Sequence, residues 1–179
     1  MKRILPDITT VKQHQEQISQ DPEVYRPRRC PHCGKAGLHC HGSYERNVPR
    51  GEGLVFMFGS LCIPRFYCPG CGSTCSRLPA CLSPRRHYSW KSQQAVLALL
   101  LAGVSIFKAS LQLCPSRHTI SRWWGRLHAQ YAEHSLHLRN RFPDLGRHAS
   151  VHDFWSACLQ KMSLANAMAL LDRDGVSIP

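Results

Sequence analysis

The sequence predicts an α+β fold in which a small cysteine-rich segment of short antiparallel strands precedes a mainly helical unit and short C-terminal helices. Three observations predict it. Residues 30–82 hold eight of the ten cysteines among short stretches of strand character. Cys30-Pro31-His32-Cys33-Gly34 and Cys68-Pro69-Gly70-Cys71-Gly72 write one device twice, on either side of those stretches. After Pro84 the texture changes to long helical periodicity, which runs with brief interruptions to about Arg139.

Taken in order, residues 9–20 (TTVKQHQEQISQ) suit a short polar helix, because Thr9 or Thr10 can cap it and Asp21-Pro22 ends it. Its apolar face is too thin to make a domain, so residues 1–24 form an N-terminal extension. Residues 25–84 follow as a Pro-, Arg-, Cys- and Gly-rich segment with strand stretches at Leu54–Phe58 and Leu61–Tyr67. That composition cannot build a large apolar core, and something else must hold it together. Two thiolates separated by two residues reach one tetrahedral ion if the chain turns tightly, and the trailing glycine supplies the positive backbone angle of the turn. Cys30, Cys33, Cys68 and Cys71 therefore make a complete four-sulfur zinc site, one per chain. A filled four-sulfur site has no position for water, so the zinc is structural and its binding energy is folding energy. The competing reading is four buried thiols. Cys40, Cys62, Cys75 and Cys81, with His32, His39 and His41 as substitutes, leave two readings open: a second metal site, or small residues packing the ribbon. Cys114 and Cys158 sit in apolar helical settings and read as core thiols.

Residues 85–142 read as a helix-turn-helix DNA-binding domain. Ser89 caps a helix from Trp90 to Ala102, which Ala95, Val96, Leu97, Leu99, Leu100 and Leu101 make apolar nearly all round, and such a helix is buried. Gly103-Val104 breaks it. Ser105 caps a second short helix with Ile106, Ala109 and Leu113 inward, and Cys114-Pro115 ends it. Ser116 caps a third helix on which Ile120, Trp124, Leu127 and Tyr131 recur at helical spacing as the stripe facing the core. Of the neighbours Trp123 and Trp124, one belongs to the core and the other seals the junction with the first helix. The outward face carries Arg117, His118, Ser121, Arg122 and Gly125, basic and short-chained where a recognition helix meets base edges. With Arg126, the capping Ser116, and Thr119, which can reach a phosphate, these are the candidate DNA contacts. Arg85 and Arg86, ahead of the first helix, suit a phosphate or the minor groove. A break at Arg141–Gly146 precedes residues 143–179, a helical tail with short helices at Val151–Lys161 and Leu164–Leu171.

Charge sets the partner. The chain has 23 Lys and Arg against 11 Asp and Glu, a net of +12, which favours polyanions. The net is +2 over residues 1–29, +3 over 30–82, +8 over 83–142 and −1 over 143–179. Nine cations against one acid in the third segment are lopsided for a merely solvated face. The first residues turn polar at Asp7 and lack the apolar core of a secretory signal. No apolar run approaches the ~20 residues that span a bilayer. Both point to a cytoplasmic, nucleoid-associated protein with reduced cysteines and no membrane partner.

Together these motifs resemble a family. Tyr25–Gly34, His41-Gly42-Ser43-Tyr44-Glu45-Arg46, Ile63–Thr74 and Thr119-Ile120-Ser121-Arg122-Trp123-Trp124 are similar to the N-terminal DNA-binding region of bacterial insertion-sequence transposases, over roughly residues 25–130. The resemblance implies a ribbon and helix-turn-helix that hold the terminal repeats of a mobile element, with double-stranded DNA as partner and either a catalytic transposase subunit or a second copy beside it. The family's catalytic domain needs three spaced metal-binding carboxylates. Here only Asp144, Asp153, Asp172 and Asp174 are found from residue 144 onward, too little chain for that domain. The expectation is thus a non-enzyme: strand cleavage comes from a partner, or the chain is the remnant of a longer transposase. A transcriptional regulator with the same two modules, and a zinc-ribbon adaptor for protein or RNA, are the alternatives. No Gly-rich phosphate loop, nucleophile elbow or His-Glu zinc pair suggests a self-sufficient catalyst.

Overall fold

A computed structural model describes residues 4–48, 59–84, 88–176 and 178, in an α+β fold that divides into two units, Met1–Ser89 and Trp90–Pro179. The expected strand at Leu54–Phe58 lies outside the described residues. No helix among them is long and apolar enough to cross a membrane.

In the first unit, β1 (Ile4–Leu5) pairs in parallel with β5 (Leu78–Pro79). α1 (Val11–Gln20) starts at a capping box: the Thr10 hydroxyl accepts from the Gln13 amide while the Gln13 side chain accepts from the Thr10 amide. It stops at Asp21, whose carboxylate caps a 3-10 turn at Pro22–Tyr25. A three-stranded antiparallel sheet follows, in the order β2 (His39–Asn47), β3 (Ser60–Tyr67) and β4 (Thr74–Cys75). An irregularity between Cys40 and Ser43 breaks the β2–β3 register.

The core of this unit is two small clusters rather than one. Leu5, Ile8, Tyr25, Cys30, Leu38, Phe66, Cys68 and Cys75 make the first, and Val11, Val48, Leu61, Ile63, Leu78 and Leu82 the second. Ile8 and Val11 belong to the segment read as an extension, so residues 1–24 complete the ribbon's core. His14 and Tyr25, both fully buried, tie α1 to the chain beyond it through a 2.6 Å hydrogen bond between Nδ1 and the phenol oxygen.

The second unit is all helix: α2 (Trp90–Leu101), α3 (Ile106–Gln112), α4 (Arg117–Ala129), α5 (Tyr131–Arg141), a 3-10 turn at Pro143–Arg147, α6 (Val151–Lys161) and α7 (Leu164–Arg173). Serine caps begin four of these helices, at Ser105, Ser116, Ser150 and Ser163. α2 packs against α3, α4, α6 and α7, so the C-terminal helices share the core of the preceding ones.

Three expectations need correction. α2 is not buried all round: Trp90, Gln93, Val96, Leu97 and Leu100 face inward, while Ala95 and Ala98 are exposed, because neighbouring helices cover only one side of it. The buried residues of α4 are Ile120, Trp123 and Leu127, not Trp124. Spacings of three and four residues admit both stripes, and the chain leaves the helix at Gln130 before Tyr131 can extend the one through Trp124. Trp124 instead packs among the rings of His128 and His152, at 4.5 and 5.2 Å. Cys114 is exposed, at the end of a short helix where nothing covers it, whereas Cys158 is buried as expected, and burial pushes its thiol up to about 12.

Candidate metal centre and basic helix

The two cysteine knuckles fold alike, hydrogen bond for hydrogen bond. The Gly34 amide donates to the Cys30 carbonyl (2.8 Å) and the Gly72 amide to the Cys68 carbonyl (2.9 Å). The Cys30 amide donates to the Lys35 carbonyl (2.7 Å) and the Cys68 amide to the Ser73 carbonyl (2.9 Å). Gly34 and Gly72 carry φ of +72° and +69°, a left-handed turn that a Cβ would strain. The first knuckle leads towards β2 and the second lies between β3 and β4, so the antiparallel pairing of β2 with β3 carries them to one end of the sheet.

There the Cys30, Cys33, Cys68 and Cys71 sulfurs lie within 4.8 Å of one another. Cys30 Sγ is 3.7 Å from Cys71 Sγ, and Cys33 Sγ is 3.6 Å from Cys68 Sγ. These are not disulfide distances, which are about 2.05 Å. A tetrahedral ion with metal–sulfur bonds of about 2.3 Å sets its sulfurs about 3.8 Å apart, so the four thiols fit a metal ion. Cys30 and Cys68 are buried and Cys33 and Cys71 exposed, which anchors the site in the first core cluster and leaves its outer edge at the surface. The Ser73 hydroxyl and amide hold the Cys71 thiol down at about 6, while Cys33 is pushed up to about 11 against the lowering by the Lys35 backbone, so Cys71 is the first of the clustered thiols to ionise. The Lys35 stem packs against Gly70, where even a methyl group would meet its Cδ at 2.6 Å.

Among the described residues no other group of three or more His, Cys, Asp or Glu offers a metal site. Cys75 is buried in the core, Cys81 half-buried, and Cys40 and Cys62 exposed, so these four do not assemble a second centre.

The candidate DNA-contacting residues fall on or beside α4. Ser116 caps the helix, its hydroxyl accepting from the Thr119 amide and lying 3.1 Å from the Thr119 hydroxyl. Both hydroxyls are thereby occupied locally. Arg117, His118 and Ser121 line one open groove with Ile106 of α3, of about 620 Å³. Arg122 and Arg126 follow His118 at successive helical turns and are exposed. Arg85 and Arg86 lie outside the described residues.

One residue of this surface was missed by sequence reasoning. Phe107 of α3 is 53 % exposed, and the Arg117 guanidinium lies over its ring, 5.2 Å from the centroid. An aromatic one position off the inward stripe of α3 was its only sequence signal. Two cations counted in the +8 segment serve the fold instead. Arg139 donates to the Tyr131 hydroxyl (3.0 Å) and the His148 carbonyl (2.7 Å), and Arg141 pairs with Asp174.

No curated protein and no solved structure matches the chain. Residues 30–123 match the family DUF6431, a domain of unknown function, an interval that opens on the first metal-site cysteine and closes on the buried tryptophan of α4. The chain belongs to the DUF6431 family.

Proposed function

We propose that this protein is a sequence-specific binder of double-stranded DNA, in which a zinc-stabilised ribbon accompanies a helix-turn-helix made by α3 and α4. The observation that carries this reading is the acid-free basic surface of α4. From residue 53 to 132 the sequence contains no Asp or Glu at all, against nine Lys and Arg. Arg117, Arg122 and Arg126 are exposed on one helix, and Lys91 and Lys108 are exposed on α2 and α3. Such a surface neutralises phosphates without paying to separate an ion pair first. α4 follows α3 after a four-residue turn and presents short side chains, Ser121 and Gly125, among its cations, which lets its backbone approach base edges.

Zinc is the metal that the all-sulfur tetrahedral set suits best among ions available in a reducing cell, and with all four positions taken by protein it is structural. No residue set among those described argues for catalysis. The finer reading, a component that holds the ends of a mobile element while a partner cuts, rests on the resemblance of residues 25–130 to transposase DNA-binding regions.

Selection of bound duplexes from a random pool tests the proposal. A defined site should emerge, and matches to insertion-element ends would favour the mobile-element reading over a regulator. Arg122→Ala should reduce the ratio of specific to random affinity by about 1–3 kcal/mol, the worth of a bidentate guanine contact, and leave thermal stability unchanged. Enrichment of no duplex would overturn the reading.

A further inference from the structure

The ribbon carries a second surface of a different chemistry, at the end of β3 beyond the buried Ile63. Side chains alternate along a strand, so Arg65 and Tyr67 of β3 share a face, about 6.7 Å apart. Phe66 between them is buried. Across the pair, Tyr44 lies beneath the Arg65 guanidinium, 5.3 Å from ring centroid to carbon. His41 packs its ring against Tyr67 at 5.7 Å with a 36° tilt. Both partners come from β2, and the register irregularity between Cys40 and Ser43 re-aims His41. The result is one ring, Tyr67, beside a cation at the strand end, while Tyr44 packs against the second core cluster with Arg65 over its ring. Arg65 and Tyr67 are half-buried and His41 exposed, so the Tyr67 ring keeps open area.

A sheet face of this composition has an electrostatic setting that narrows its occupant. Residues 1–89 carry 13 Lys and Arg against six acids. Glu45 pairs with Cys62 in the register, on the opposite face from the Tyr44–Ile63 pair. A polyanion is therefore attracted to this unit, and one whose bases are unpaired can also stack on Tyr67. Paired bases in a duplex are already stacked on one another and cannot use it.

We propose that this face binds single-stranded DNA, with Tyr67 as the stacking platform and Arg65 and His41 as its flanking groups. The site is separate from α4, and it stands whether or not α4 reads duplex DNA. A protein with both surfaces can hold a duplex at one unit and a melted or nicked end at the other.

The test uses the full-length, metal-loaded chain and a fluorescein-labelled oligothymidine strand, followed by anisotropy. Tyr67→Leu removes the ring and should weaken the complex roughly 10- to 100-fold, the worth of one base stacked on an aromatic ring. Tyr67→Phe, which keeps the ring, should bind like the parent. Arg122→Ala should leave oligothymidine binding unchanged, and Tyr67→Leu should leave duplex binding unchanged, so that failure of one site is told from failure of the other. Metal content and far-ultraviolet circular dichroism establish that each variant is folded. The proposal is overturned if Tyr67→Leu, folded and metal-loaded, binds oligothymidine as the parent does, if it loses duplex and single strand in equal measure, or if oligouridine binds more tightly than oligothymidine.

Discussion

The ribbon unit and the helical unit reach a folded state by unlike means. In the ribbon the apolar residues divide between two clusters of eight and six members, and the sheet has only one long strand pair, β2 with β3. Its knuckles, 35 residues apart, bring together four sulfurs that could hold a metal ion. Among the described residues the helical unit holds no such cluster. Phe154 and Trp155 are fully buried with their rings 5.5 Å apart, Leu138, Leu145 and Leu164 are buried as well, and four of its helices begin at serine caps. With a metal bound to those sulfurs, one unit would concentrate its stability in a single chemical event, while the other spreads it over many apolar contacts. The comparison makes the two halves separable by experiment.

The largest expected effect follows from this difference. A strong chelator should unfold Met1–Ser89 and leave the helical signal of Trp90–Pro179 standing, because structural zinc is worth about 10–16 kcal/mol and a domain's net stability is only about 5–15. Cys68→Ser should do the same. Circular dichroism with metal analysis reads both, and a chelated protein whose two units melt together would break the comparison.

Inside the helical unit the sharpest contrast lies between two adjacent residues. Trp123→Ala should cost about 3–5 kcal/mol by emptying a buried site. Trp124→Ala should cost much less, since the ring lies at the surface against His128 and His152. Thermal melts of the two variants decide it, and equal losses would mean that both rings are core.

That pair also shows what a sequence can and cannot disclose. The knuckles were readable because a tight turn depends on local chemistry: Cys-x-x-Cys-Gly states the ligands, the turn and its handedness within five residues. Two helix starts were readable for the same reason, at Ser105 and Ser116, while the caps Ser150 and Ser163 emerge only from the structure. Which tryptophan points inward was not readable, because the stripes through Trp123 and Trp124 both satisfy helical spacing and only the neighbouring helices choose. Nor was the row of Tyr44, Arg65, His41 and Tyr67. It needs the register between two strands and an irregularity at Cys40–Ser43, and neither is written locally in either strand. The charge count misled in one respect, since composition cannot tell Arg122, which faces solvent, from Arg139 and Arg141, which bind within the fold.

Salt should separate the units next. If the exposed cations of α2, α3 and α4, with those before Trp90, neutralise roughly six phosphates, duplex affinity should fall about a thousandfold between 50 and 200 mM salt. A single strand releases fewer counterions per neutralised phosphate than a duplex does, so oligothymidine bound on the ribbon should show a shallower slope. Titrations at several salt concentrations measure both, and identical slopes would mean that one surface holds both ligands.

The smallest effect is the response to acid, and it too should differ between the halves. In the helical unit Arg141 at the end of α5 holds Asp174 beyond α7 with two hydrogen bonds, one of 3.0 Å from Nε and a second from the other guanidinium nitrogen. Those bonds keep the Asp174 carboxyl below its ordinary value of 3.8. Because the folded value is the lower one, the pair's stabilisation is complete above about pH 4 and disappears as pH falls through the depressed value. A surface pair of this kind is worth at most about 1 kcal/mol, so Asp174→Asn should lower the melting temperature of the helical unit by a few degrees at pH 7. Well below that depressed value the variant and parent should melt together. The ribbon should give way earlier on the same acid titration, since protons displace a metal from thiolates before they reach a carboxylate held by arginine. Parallel melts of parent and variant across pH 2–7 check this, and a ribbon that outlasts the helical unit in acid would show that its four sulfurs are not what holds it.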